Sequence, residues 1–204
     1  MDLPPFPNKE FDAYIFDCDG TLVDSMPLHY EAWQRGLEAA GARTKLKEDL
    51  YYSMAGMSIE AVVGRLNDIY DDAIDPVIVK QEKEAFFALG IDKLEPIRPV
   101  VAFLRQAASA GVPIAVASGS ERQTVERLLQ QIGVFELLEV IVTPADVEQG
   151  KPAPDMFLLA SRRLGVAPER CLVFEDGQSG IEAARAAGMK SFFVESRVEN
   201  STSS

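Results

Sequence analysis

Five short apolar or aromatic runs punctuate the sequence: Ala13–Phe16, Val112–Ala117, Val140–Val142, Cys171–Phe174 and Ser191–Val194. Each is short and apolar at successive positions, the pattern of a strand covered on both faces. Between the later runs lie helical segments at Val100–Ala110, Glu121–Ile132, Asp155–Leu164 and Gly180–Ala187. Strands alternating with helices predict an α/β chain with a doubly wound parallel sheet. In such sheets ligands collect beyond the carboxyl ends of the strands, near the switch in strand order.

The pattern changes between about Met26 and Glu95. Helical spacing appears at Leu28–Ala40, Ser58–Ile69 and Pro76–Leu89, with no convincing strand, and Glu95-Pro96-Ile97-Arg98-Pro99 leads back to the alternation. We read residues 26–95 as a helical domain inserted after the first strand. The core is then discontinuous, built from residues 1–25 and 96–204.

A chain of 204 residues accommodates one such core and a modest insertion. Its formal charge of −12 disfavours a nucleic-acid surface, which needs a basic patch. The same charge means that a bound phosphate must be held by local devices: a metal ion, a lysine, or N–H groups at a helix start. No apolar run is long enough to span a bilayer, and Met1-Asp2-Leu3-Pro4-Pro5 lacks the character of a signal peptide. The expected location is cytoplasmic, with no membrane association and no protein partner indicated. Cys18 and Cys171, in no metal-ligand spacing, read as buried reduced thiols. The Ser/Thr/Asn-rich stretch after Val198 reads as disordered.

Four motifs fall at four predicted strand ends. The first is Asp17-Cys18-Asp19-Gly20-Thr21-Leu22-Val23-Asp24. Residues two apart on extended chain point the same way, so Asp17 and Asp19 can face one site, and Gly20 lets the chain turn. Carboxylates that close resist joint ionisation unless a cation lies between them or one keeps a proton. That suits a nucleophile and metal ligand paired with an acid/base. The second motif, Ser118-Gly119-Ser120, offers a hydroxyl and N–H groups at a strand-to-helix turn. The third, Gly150-Lys151-Pro152-Ala153-Pro154-Asp155, holds a lysine between stiffening prolines. The fourth, Glu175-Asp176-Gly177, again ends a strand with acids. Asp17, Asp176 and a backbone carbonyl near Asp19 suit the hard-oxygen requirement of magnesium. Singly, these motifs have plainer readings as turns, helix caps or an exposed lysine. In a parallel sheet, however, all four ends lie along one edge.

Together the motifs resemble the haloacid-dehalogenase superfamily of phosphotransferases, over nearly the whole chain. A helical cap directly after the first motif is similar to the subgroup of β-phosphoglucomutase and sugar-phosphate phosphatases. His29 and Trp33 match that subgroup too. The resemblance implies that Asp17 attacks a phosphoryl group to form an aspartyl-phosphate, while Asp19 protonates the leaving oxygen and later activates water. It implies that Ser118, Gly119, Ser120 and Lys151 hold the phosphoryl oxygens and that His29 and Trp33 meet the substrate. It places Mg2+ on Asp17, the Asp19 carbonyl and Asp176, with Glu175 in support. Dehalogenation is not implied, because dehalogenases lack the acid found here at Asp19.

Within the subgroup, a mutase seats a second phosphate on a cap-loop arginine and a lysine after the second motif. This sequence has Ile59 and Glu121 there, with Arg122 as a compensating cation. The cap and the Lys151–Leu159 stretch look closer to fructose-1-phosphate-type phosphatases. Hydrolysis of a small phosphorylated metabolite, a sugar phosphate or sugar-acid phosphate, is therefore the expectation. Met54, Met57 and Lys83 join His29 and Trp33 as candidates for substrate selection, although such residues at helical spacing fit a core equally well.

Overall fold

The structure, a computed structural model, describes residues 3–6, 10–43, 45–54 and 57–195. The stretch after Val198 and the Ala55-Gly56 part of the cap loop lie outside the described residues.

Five strands form one parallel sheet in the order β3-β2-β1-β4-β5: β1 is Ala13–Phe16, β2 Ile114–Ala117, β3 Val140–Val142, β4 Cys171–Glu175 and β5 Lys190–Phe193. Helices α5 (Arg98–Ser109), α6 (Arg122–Gln131), α7 (Asp155–Leu164) and α8 (Gln178–Ala186) connect them. Strand side chains alternate between the two faces. Tyr14, Phe16, Ile114, Val116, Leu172 and Phe174 point to α5 and α6, where they form one buried cluster with Phe103, Leu104, Leu128 and Leu129. Ala13, Ile15, Ala115, Ala117, Cys171 and Val173 point to the other face and meet Met156, Phe157, Ala183 and Ala184 of α7 and α8. One face is thus filled by large rings, the other by small side chains against close-packed helices. Both cysteines are buried and unlinked.

The edge strand β5 departs from the expectation of a strand buried on both faces. Lys190 and Ser191 are exposed, and Phe193 keeps 53% of its surface in solvent, because among the described residues no element covers this side of the sheet edge.

Between β1 and α5 lie α1 (Met26–Ala39), α2 (Glu48–Ser53), α3 (Ile59–Tyr70) and α4 (Pro76–Gly90), with no strand among the described residues. Pro27 and Pro76 occupy first-turn positions, and the Ser58 and Asp75 side chains cap α3 and α4. Sequence spacing did not reveal α2, a six-residue helix rich in polar and tyrosine residues. Trp33, Leu37, Leu46, Tyr51, Val62, Val63, Leu66 and Val79 form a third buried cluster. Ala32, Phe87 and Ile91 pack instead with the sheet-face cluster, so the helices rest directly on the rest of the molecule. The two connecting segments run antiparallel: Asp24 N–H donates to Glu95 O, Ile97 N–H donates to Leu22 O, and Val23 pairs with Pro96. None of the described helices is long and apolar enough to cross a membrane.

Candidate active site

The carboxyl ends of β1, β2 and β4 deliver Asp17, Ser118 and Glu175-Asp176 to one edge, and the loop after β3 returns Lys151 to it. Gly20 (φ +80°) lets the chain fold back after β1 so that Leu22 and Val23 N–H groups bond Cys18 O. Its missing side chain matters as much as its dihedral. A Cβ at Gly20 would lie 2.0 Å from Asp176 Oδ2, so only glycine lets the two motifs meet.

Lys151 is the centre of the charge arrangement. Its Nζ donates to Asp17 Oδ1 at 2.6 Å and to Glu175 Oε2 at 2.7 Å, and sits 5.2 Å from the centre of the Phe157 ring. Glu175 also accepts from Gly177 N–H, and Thr21 Oγ1–H donates to Asp176 Oδ1 at 3.2 Å. Ligand-capable oxygens of Asp17, Glu175 and Asp176 lie within 4.8 Å of one another. Three carboxylates around one ammonium are in excess, and their proton affinities respond. Burial, followed by Glu175, raises Asp17 well above the usual carboxylate range against the pull of Lys151. Burial and Glu175 push Asp176 up to about 8. Burial disfavours the Lys151 charge, but Asp17 and Glu175 more than reverse that and hold its pKa above the ordinary lysine value. A divalent cation relieves such an acid excess, and hard oxygens are the donors it takes.

Asp19 is turned away from this cluster. Ser25 Oγ–H (2.7 Å) and His29 Nε2 (3.0 Å) reach its Oδ1, and Ser120 Oγ–H (2.6 Å) reaches Oδ2. Burial alone would raise the Asp19 carboxyl. The charge of His29 and the hydrogen bonds from His29, Ser120 and Ser25 instead hold it well below the carboxylate range. Burial lowers the His29 pKa in turn, only partly offset by Asp19. A proton on His29 Nε2 lets it donate to the Asp19 carboxylate. The Asp19 side chain is not among the clustered carboxylate oxygens of Asp17, Glu175 and Asp176.

A cavity of about 540 Å³ opens over these groups, and every sequence-predicted residue lines it: Asp17, Asp19, His29, Trp33, Ser118, Gly119, Ser120, Lys151, Glu175 and Asp176. Met54, Met57 and Lys83 line it as well. Trp33 and Met54 also belong to the helical hydrophobic cluster, so for them the core and pocket readings both hold. Lys83 Nζ stands 5.8 Å from the Trp33 ring centre, and burial lowers its pKa. Two site contributors, Thr21 and Ser25, were assigned no role from the sequence, although Thr21 lies within the first motif and Ser25 directly follows it.

The expected compensating cation is engaged elsewhere. Arg122 Nη2 donates to Asp146 Oδ2 at 2.7 Å and to Ile141 O, and Arg122 also pairs with Glu126, because Asp146 closes the turn after β3. Glu121 meets Lys80 Nζ of α4 at 2.7 Å.

Residues 11–188 match the family described as haloacid dehalogenase-like hydrolase. The chain belongs to that family. It is 35% identical over 182 residues to fructose-1-phosphate phosphatase YqaB of Escherichia coli K12, covering 89% of this chain and 95% of that one. It is 28% identical to β-phosphoglucomutase of Bacillus subtilis, over 87% of this chain and 80% of that one. Among solved structures, CbbY from Rhodobacter sphaeroides in complex with phosphate superposes with a TM-score of 0.77 at 26% identity, covering 93% of this chain and 90% of that chain.

Proposed function

We propose that this chain is a magnesium-dependent phosphatase that hydrolyses sugar monophosphates through an aspartyl-phosphate on Asp17. The observation that carries the reading is Lys151, buried between Asp17 and Glu175 at the strand-end edge and facing the same cavity as Asp19. The similarity to a fructose-1-phosphate phosphatase over most of both chains supports the substrate class.

In this reading Asp17 attacks phosphorus through an oxygen not held by Lys151. A new O–P bond forms as the bond to the sugar oxygen breaks, and Asp19 passes that oxygen a proton taken up from the monoanionic phosphate ester. A water then attacks the aspartyl-phosphate while Asp19 accepts its proton, releasing inorganic phosphate and regenerating Asp17. The bonds that Asp19 accepts from Ser25, His29 and Ser120 favour its ionised form, which the water step needs. Ser118 and Lys151 orient the phosphoryl oxygens, since phosphoryl transfer is mainly positioning and charge stabilisation. A covalent carboxylate intermediate divides one difficult displacement into two. Asp17, Asp176 and the Asp19 carbonyl would hold Mg2+, with Glu175 supporting them. When bound, the metal supplies the positive charge that lets acids and phosphate share one site. Residues 26–95 serve as a cap domain over the core formed by 1–25 and 96–204.

Hydrolysis is favoured over mutase chemistry by the engagement of Arg122 with Asp146 and by the carboxylate of Glu121. The test is a screen of phosphorylated sugars and sugar acids with magnesium, scoring released phosphate. The expected result is a group of sugar monophosphates turned over well above the rest. Absence of phosphate release from every monoester would remove the proposal.

A further inference from the structure

His29 is the only histidine in the sequence, and its imidazole does not stand alone. The Phe87 ring of α4 lies face to face with it, centroids 3.9 Å apart and planes 9° from parallel. Phe87 is buried and packs into the sheet-face cluster with Ala32 and Ile91, so its own ring is fixed from behind. His29 sits on α1, and its backbone N–H bonds Ser25 O. The helix sets where the imidazole begins, but rotation about its terminal side-chain bond is soft, broad and nearly two-fold. A stacked ring removes that freedom, leaving the imidazole one plane in which Nε2 points at Asp19 Oδ1, 3.0 Å away.

We propose that Phe87 is a positioning residue: by stacking on His29 it aims Nε2 at Asp19 and so fixes the carboxylate that handles the proton in both half-reactions. The inference rests on the reading of Asp19 as acid and base. Ser25 and His29 both converge on Oδ1, while Ser120 takes Oδ2. With the imidazole free to turn, Oδ1 keeps only the small Ser25 hydroxyl, and the carboxylate can rotate. Proton transfer needs donor and acceptor at hydrogen-bond distance and aligned, and small misplacements are expensive in rate. A ring packed face to face on the imidazole favours the one orientation that keeps the two planes parallel.

The single histidine makes the test direct. In wild type, the imidazole C–H proton resonances should be shifted upfield by the Phe87 ring current. In Phe87→Leu they should move to ordinary positions. On a sugar monophosphate, kcat should fall about tenfold, with the loss in kcat and not in KM. Magnesium affinity, measured by calorimetry without substrate, should hold. Phe87→Tyr, which keeps the ring, should keep both the shift and kcat. In a His29→Ala background, Phe87→Leu should lower kcat no further, because its effect runs through the imidazole. Phe87→Met, which fills similar volume without a ring, gives the same readouts should the Leu variant fold poorly. Equal kcat losses with and without His29 would overturn the proposal, as would unchanged imidazole resonances in the ring-less variants. An inactive wild type would instead remove the phosphatase reading, whereas an active wild type with additive losses removes only the role of Phe87.

Discussion

Glu121 and Lys80 meet at 2.7 Å across the boundary between α6 and α4. Glu121 directly follows Ser118-Gly119-Ser120, so this pair stands at the wall of the cavity nearest the phosphoryl site. Glu84 lies 3.7 Å from the same ammonium, leaving Lys80 shared between two carboxylates. A second phosphate brought to this wall would meet acids whose one shared cation is already engaged.

From that wall follows a product prediction. A mutase must retain its bisphosphate while the molecule reorients, whereas here the aspartyl-phosphate should lose its phosphoryl group to water. In a phosphorus NMR time course with β-glucose 1-phosphate, magnesium and a bisphosphate primer, inorganic phosphate should appear and glucose 6-phosphate should stay minor. Glu121→Lys combined with Ile59→Arg should raise the mutase share. Glucose 6-phosphate forming much faster than phosphate in the wild type would reverse the assignment.

Asp17→Asn should remove turnover, because an amide matches the carboxylate in shape but is a poor nucleophile. It also removes one of the acids crowding Lys151, so the folded protein should lose little stability. The comparison is activity against thermal unfolding in the same sample. Near-normal turnover in a folded Asp17→Asn protein would end the mechanism.

Metal and pH are linked through Asp176. Its carboxyl is held at about 8 in the folded chain, against 3.8 for the unfolded group. A raised folded value means that the proton's contribution to stability is complete below 3.8 and is lost as pH climbs through about 8. Metal-free protein should therefore lose thermal stability between about pH 5 and about pH 9, and magnesium should restore most at the alkaline end. Chelation should abolish activity, and calcium should restore it poorly, since it prefers more ligands at longer distances. A melting temperature that rises over that range without metal would contradict the account.

The helices over the cavity are expected to move on the paired segments around Val23 and Pro96. Trp33 is the only tryptophan and lines the cavity, so its fluorescence reports the movement. Adding a phosphate analogue with magnesium should change its emission in the wild type but not in Asp17→Asn lacking metal. No change in either would argue for a fixed roof.

The sheet was readable because its central strands are apolar at every position, and the acids stood out because each breaks such a run. The edge strand β5 is a strand as expected, but only its inner face is core: Phe192 packs on the core cluster, whereas Phe193 is left exposed at the sheet margin. Helix α2 was missed because six residues hold too little periodicity. Contacts between distant segments left no trace in the sequence. Arg122 reads as a free cation beside the second motif until β3 brings Asp146 to it, and Phe87 reads as one more core ring until α4 lies along α1.

The adjacent backbones of Asp24 and Glu95 carry a further consequence. The polypeptide leaves the sheet and re-enters it at neighbouring points, so everything between is closed at its base like a purse. Any segment exchanged there must reproduce the packing of Ala32, Phe87 and Ile91, the His29–Asp19 hydrogen bond and the Lys80–Glu121 ion pair. The nucleophile Asp17 thus stays on the sheet, while the segment that returns beside it carries cavity-lining residues and the His29 contact to Asp19.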